Sequence, residues 1–158
     1  MLDLNLPHFD KKITTKDGKL FILDIIRRQH VALTPEEWVR QHFVHFLINY
    51  KGYPLSLMAN EIQLKFNGMS RRCDTLVYDR SLTPRVIVEY KAPSVNITQK
   101  VFDQICRYNM VLHVDYLVVT NGITHYCCQI DYSTHSYRFL HDIPEYDAII
   151  VSKYSHKP

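Results

Sequence analysis

Apolar and polar positions alternate along the chain with a period that changes several times. Around Leu20 to Ala32, Phe21, Leu23 and Ile25 interleave with Ile22, Asp24 and Ile26, and a shorter run, Lys11 to Thr15, precedes them across Asp17-Gly18. An Asp-Gly pair between two strand-like runs signals a hairpin, because its turn needs positive φ. The pattern therefore predicts an N-terminal β-hairpin. Thr34-Pro35-Glu36-Glu37 then reads as a helix start, with Thr34 as N-cap, Pro35 in the first helical position and Glu37 completing a capping box. The predicted helix runs from Pro35 to about Tyr50. Trp38, Val39, Phe43, Phe46, Leu47 and Tyr50 form its apolar stripe, Arg40, Gln41 and His45 lie elsewhere on the wheel, and Gly52 stops it.

Strand periods follow. Leu57 to Phe66, the turn pair Asn67-Gly68 and Arg71 to Asp79 predict a second hairpin, with Glu61 in its first strand and Asp74, Leu76 and Tyr78 on one face of its second. Arg85 to Lys91 is dense in β-branched residues and ends at Ala92-Pro93. A second helix is predicted from Thr98 to about His113, with Val101, Ile105, Tyr108 and Leu112 inward. Tyr116 to Thr120 is almost wholly apolar, as expected of a strand covered on both faces. Asn121-Gly122 turns into a strand at Ile123 to Tyr132, and a last short strand near Tyr137 to Leu140 precedes a loosely held end. Helices on both sides of a mixed sheet make a three-layer α/β fold. Residues 1–158 are read as one domain with a core at about 34–132.

Composition narrows the classes. The chain has 158 residues, 46% of them hydrophobic and 22% charged, which is ordinary for a globular domain large enough to fold without disulfides. A net charge of +3 is too mild to mark a DNA-coating protein, so any affinity for phosphate must come from local clustering. No apolar run approaches a membrane span, and Met1 to His8 has neither a basic nor an apolar leader region, so the expected location is cytoplasmic with no membrane partner. Cys73, Cys106, Cys127 and Cys128 contain no CxxC pair, which argues against a zinc ribbon or a thioredoxin-like site. Cys127 and Cys128 suit alternate faces of a strand. His42 and His45 have no third ligand nearby and are read as structural.

Candidate chemistry gathers at Glu89-Tyr90-Lys91. On a strand, Glu89 and Lys91 emerge on one face about 6.6 Å apart. Antiparallel pairing with the preceding strand can bring Asp74 opposite them. Two carboxylates suit Mg²⁺, which leaves positions for water and a substrate phosphate, and a nearby lysine can orient water and stabilise developing charge. An acid two residues before a lysine also occurs at Asp10–Lys12 and Asp17–Lys19, so the tripeptide alone reads first as a solvent-exposed ion pair at a strand end. A cysteine hydrolase using Cys127 or Cys128 with His125 is a further alternative, without an oxyanion-hole signal.

Taken together, Asp74, Glu89-Tyr90-Lys91 and a following helix carrying Gln104 and Tyr108 resemble the PD-(D/E)XK nucleases, whose RecB-like branch has a QxxxY element. The likeness narrows through Thr34-Pro35-Glu36-Glu37-Trp38-Val39-Arg40-Gln41, Arg71-Arg72-Cys73-Asp74, Ile87 to Pro93, Tyr108-Asn109 and Thr120-Asn121-Gly122. These resemble the N-terminal nuclease domain of type I restriction enzyme R subunits, over nearly all of residues 20 to 132. Cys73 stands where the superfamily name has proline. No GxxxxGK[ST] loop occurs, so a P-loop motor is not part of this chain.

The resemblance implies a restriction-endonuclease-like fold and a Mg²⁺-dependent deoxyribonuclease, with Mn²⁺ as substitute. Asp74 and Glu89 would bind the metal, with the Tyr90 carbonyl a third ligand and Glu61 an additional acid. Lys91 would position the water. Gln104 and Tyr108 would steady the site or the DNA, and Arg71 and Arg72 would grip phosphates. An ordinary helix face accounts equally well for Gln104 and Tyr108, and an open strand face for Glu61. The implied partners are DNA and a separate motor or specificity subunit. The competing possibility is an inactive nucleic-acid-binding or scaffolding protein of the same fold.

Overall fold

The computed structural model describes residues 2–66, 69–109 and 113–151. The N-terminal run forms three strands: β1 (Ile13–Lys16), β2 (Lys19–Asp24) and β3 (Gln29–Ala32). They pair in order as an antiparallel meander, so the expected hairpin is a three-stranded sheet. The single run anticipated from Leu20 to Ala32 is broken by a turn. Asp24 Oδ1 accepts the backbone N–H of Ile26 (2.9 Å) and Arg27 (3.0 Å), the local Asx geometry that reverses a chain.

Helix α1 (Pro35–Lys51) begins and ends where its caps predict. Thr34 Oγ1 accepts from Glu37 N at 3.1 Å, and Gly52 closes the helix with a φ of +71°, a conformation glycine adopts without a Cβ penalty. The capping box is only half formed. Thr34 N donates to Ala32 O, and the Glu37 carboxylate turns inward to Gln41, Arg40 and Arg27.

A 3₁₀ turn at Leu55–Leu57 leads into the main sheet: β4 (Met58–Phe66), β5 (Met69–Tyr78), β6 (Pro84–Tyr90), β7 (Tyr116–Thr120), β8 (His125–Asp131) and β9 (Ser136–Leu140), paired in that order. All neighbours are antiparallel except β6 and β7, which run parallel and are joined through helix α2 (Gln99–Asn109). The expected turn at Asn67-Gly68 and the end of the second helix beyond Asn109 lie outside the described residues. The anticipated loose end contains α3 (Tyr146–Val151), whose Tyr146 and Ile149 are buried.

Two apolar clusters hold the layers together. On one face, Val39, Phe43, Val44 and Leu47 of α1 meet Val77, Val86, Val88, Tyr90 and Val118, with Tyr146 and Ile149 of α3. On the other, Phe102, Ile105 and Cys106 of α2 meet Leu76, Ile87, Leu117, Val119 and Cys128. Alternation places Cys127 in the first cluster and Cys128 in the second. β7 is buried along its whole length, as its composition requires. The architecture is the restriction-endonuclease-like three-layer α/β fold. No described helix is long and apolar enough to cross a membrane.

The α1 stripe is shifted from its expected position. Trp38 and Phe46 are half-buried and Tyr50 is exposed, whereas Arg40 and Gln41 are buried. Phe43, fully buried between α1 and the sheet, is the better test of this packing. Phe43→Ala is expected to cost about 3–5 kcal/mol of unfolding free energy in urea titrations. Phe46→Ala should cost clearly less, because its ring is already partly hydrated.

Candidate active site

The paired region of β5 and β6 ends at Thr75 and Val88. One register step further, Asp74 stands across from Glu89, but the strands no longer exchange ladder bonds there. The Asp74 side chain takes over: its Oδ2 accepts the backbone N–H of Tyr90 at 2.9 Å. The two strands thus form a fork with Asp74 on one prong and Glu89-Tyr90-Lys91 on the other. In an extended strand the N–H and C=O of one residue point to the same edge. The Tyr90 carbonyl is therefore directed toward β5, into the fork.

The outer prong is held from the far side. Lys91 N donates to Thr120 O at 2.9 Å, which continues the parallel pairing of β6 with β7 just past Tyr90. Beyond Lys91 the chain is pinned by Asn121, whose buried side chain donates to Val95 O at 2.9 Å and accepts from Ile123 and Thr124 N–H groups. Gly122, at φ +81°, lies under Leu4, where a Cβ would come within 2.8 Å of the leucine side chain. Thr120-Asn121-Gly122 thus fixes the loop that carries Lys91.

A buried ionic network ties α1 to the fork. Arg40 is 3% exposed, and its guanidinium lies over the Tyr90 ring, 5.5 Å from the centroid. It donates to Glu37 Oε2 at 2.9 Å, to Glu61 Oε1 at 2.5 Å and to Asp74 Oδ1 at 3.3 Å. Glu61 also pairs with Arg72, whose side chain is largely exposed. Glu61 adopts a φ of +60°, and the β4–β5 ladder steps from Asn60–Thr75 to Ile62–Cys73 past it. The strand is distorted here: Cys73 and Leu76, three residues apart, reach the same cluster, which strict alternation forbids. A second chain of bonds runs behind the fork, from Tyr90 OH to Thr75 Oγ1 (3.0 Å), Thr75 to Asn60 (2.6 Å) and Asn60 to Asp24 (2.9 Å). Burial alone would raise the Asp24 carboxyl. The Arg27 backbone N–H, the Asn60 amide and the Arg27 guanidinium outweigh it and hold Asp24 below its ordinary value.

Asp74 meets the Tyr90 backbone at the fork, and Glu89, which is buried, and Lys91 flank Tyr90 in the chain. Glu61 sits between two arginines. Arg72 is exposed at the rim, and the side chain of Arg71 lies outside the described residues. Gln104 is exposed on α2, on the flank away from Phe102 and Ile105, and the Tyr108 side chain again lies outside them. Reading α1 by its apolar stripe missed two residues. Arg40 is read as lying elsewhere on the wheel, and Glu36 only as part of the helix start. Burial raises the Glu36 carboxyl, assisted by the Asp74 charge and opposed by those of Lys91 and Arg40, which places Glu36 within the field of the fork. The signal was available in the spacing: Arg40 stands three residues before Phe43 and seven before Leu47, and Glu36 seven before Phe43, which puts both on the face of α1 that is buried.

A resident divalent cation fits this chemistry. Two carboxylates and a backbone carbonyl are oxygen donors of the kind Mg²⁺ takes, with water completing its shell. Among the described residues no group of three or more His, Cys, Asp or Glu side chains is arranged to hold an ion. The cysteine alternative does not fit. Burial pushes the Cys127 thiol up to about 12, and His125 Nδ1 is bound to Thr120 Oγ1 at 2.7 Å.

The Glu36 shift has a stability consequence. A carboxyl raised in the folded state favours folding below its unfolded value, near 4.5, and opposes it as pH rises through the folded value. Glu36→Gln is expected to raise the thermal midpoint at neutral pH. The gain should vanish below about pH 4 in a series of melts.

The family described as "Type I restriction enzyme R protein N terminus" matches residues 35–144. No curated protein matches the sequence. Among solved structures, a fragment assigned to the HsdR subunit of a type I restriction enzyme from Vibrio vulnificus YJ016 superposes with a TM-score of 0.55 at 20% sequence identity, a likeness of fold. The match covers 79% of this chain and 27% of that one, so the present chain spans about a quarter of the HsdR fragment.

Proposed function

Because the chain belongs to the family of type I restriction enzyme R protein N-terminal domains, we propose that it is the nuclease module of a restriction-type system and hydrolyses DNA phosphodiester bonds at the β5–β6 fork. The PD-(D/E)XK reading assigns Asp74, Glu89 and the Tyr90 carbonyl to Mg²⁺, with Mn²⁺ able to substitute. The ion would act as a Lewis acid on the phosphate and lower the pKa of a bound water.

The protein's own groups do the rest. Asp74 is held in orientation before any substrate arrives, Oδ2 by the Tyr90 amide and Oδ1 by Arg40. Lys91, fixed through its backbone to Thr120, would present its ammonium to the attacking water and to the charge that grows on the phosphate. Arg72 would contact a neighbouring phosphate, and Gln104 and Tyr108 would steady the strand from α2. Glu61 serves here by holding Arg40 and Arg72. A non-glycine residue at φ +60° beside Asp74 is the kind of strain that gathers at functional sites. A motor and a specificity subunit would be supplied by other chains or domains.

The observation that carries this reading is the fork itself, where Asp74 bonds the amide of Tyr90 one register step from Glu89. Arg40 favours the rival reading, a nucleic-acid-binding or scaffolding protein with a relic site, because it meets Asp74 where a cation would.

Two measurements separate the readings. Mg²⁺ or Mn²⁺ should raise the thermal midpoint of the wild type by mass action, and Asp74→Asn with Glu89→Gln should abolish that shift. Lys91→Ala should keep the fold and most DNA affinity but lose cleavage of circular, linear or single-stranded DNA by about a hundredfold or more. Lys91→Arg should not restore it, since a planar guanidinium does not replace a compact ammonium. Cleavage within a few-fold of wild type for Lys91→Ala ends the catalytic assignment.

A further inference from the structure

An apolar cavity of about 340 Å³ opens at the start of α1. Leu20 of β2, Leu33, Pro35 and Trp38 line it together with Pro93 and Ser94. Its position along the chain is informative. The Pro93 wall begins two residues after Lys91, and Pro35 immediately precedes Glu36, whose carboxyl senses both Asp74 and Lys91. The cavity and the fork therefore share the start of α1 and the loop that follows β6.

The chemistry of the walls is that of a stacking site. Trp38 is half-buried, with its indole N–H donating to Leu2 O at 3.1 Å, so the ring is locked in orientation. Lys11 holds its ammonium over the Trp38 ring, 5.1 Å from the centroid, and 5.4 Å from that of Phe9, in a small neighbouring cavity that Trp38 also lines. An apolar slot with an aromatic side chain, a neighbouring cation and hydroxyls at Thr34 and Ser94 accepts a flat heterocycle attached to an anionic backbone. Its volume lies at the small end of ligand pockets, suited to one such ring system.

We propose that this cavity is a nucleobase pocket, receiving an unpaired or extruded base next to the phosphate held at the fork. The inference rests on the nuclease reading and deepens it. Lys11 would meet the backbone of the same nucleotide, and the apolar walls would take the base without reading its edge. The site would therefore favour single-stranded or locally opened DNA over an intact duplex, because a stacked base cannot enter it.

Trp38 is the chain's only tryptophan and reports on the pocket directly. The test uses the full chain in EDTA, so that neither cleavage nor metal enters. One titrant is a short oligothymidylate, and the other is an oligonucleotide of equal length made only of abasic residues, with the same phosphates and no bases. Anisotropy of a labelled oligonucleotide reads affinity, and Trp38 emission in separate unlabelled titrations reads the pocket. The expected result is binding of both, with the abasic chain weaker by about five- to a hundredfold, the range for one stacked base. Saturable quenching of Trp38 should occur with thymidylate alone. Ser94→Phe, which places a ring in the cavity from an exposed position, should bring thymidylate down to the abasic affinity and leave the abasic affinity unchanged. Equal affinities for the two oligonucleotides, or Trp38 emission that responds to both alike or to neither, overturns the pocket and leaves the nuclease reading standing. Failure of both to bind overturns the nucleic-acid reading itself, and the pocket with it.

Discussion

Arg40 carries a permanent charge into a position that is 3% exposed. A bare ion there would cost several kcal/mol, and it is tolerated because Glu37, Glu61 and Asp74 converge on the guanidinium while the Tyr90 ring supports its face. Those partners come from α1, β4, β5 and β6. One side chain thereby fixes the distance between the helix and the open end of the sheet, and with it the shape of the fork. The gap between β5 and β6 is an arranged opening, with the guanidinium on one side of Asp74 and the Tyr90 amide on the other.

Most of the architecture could be read from periodicity, because the apolar faces are simple where only packing is at stake. Val86, Ile87 and Val88 announce a strand buried on both faces. Thr34, Pro35 and Gly52 mark the ends of α1 to within one residue. Antiparallel pairing is what can bring Asp74 opposite Glu89, and the register of Thr75 with Val88 supplies that pairing. What escaped was polar and collective. The spacing of Arg40 puts it on the buried face of α1, but nothing in that spacing says that Glu37, Glu61 and Asp74 will surround its guanidinium there. The break between β2 and β3 escaped for a related reason. Its turn is made by the Asp24 side chain inside an apolar run, with neither glycine nor proline to announce it.

The ionic network and the apolar clusters divide the work. Phe43, Val88 and Val118 on one face, and Phe102, Ile87 and Leu117 on the other, supply non-directional stabilisation that tolerates small shifts. Charge-assisted bonds around Asp74 and Asp24 do not tolerate them, and they set angles where chemistry would need angles. The N-terminal segment adds to this. Asn5 N–H donates to Gly122 O at 2.8 Å, and Phe9 stacks on His45 with ring centroids 3.9 Å apart, so residues ahead of the first strand brace both the Asn121-Gly122 turn and α1.

The parallel pairing of β6 with β7 has a consequence in time. β4, β5 and β6 follow one another as neighbouring antiparallel strands and can form from local contacts. β7 reaches its place only after the chain has crossed through α2, a closure that folds more slowly because its contacts are distant in sequence. The backbone of Lys91 is anchored to Thr120 of β7. During synthesis the carboxylates of the fork are therefore in the growing chain well before the lysine is held in place. A partly made chain thus carries the two carboxylates before the backbone of Lys91 has the partner that fixes it.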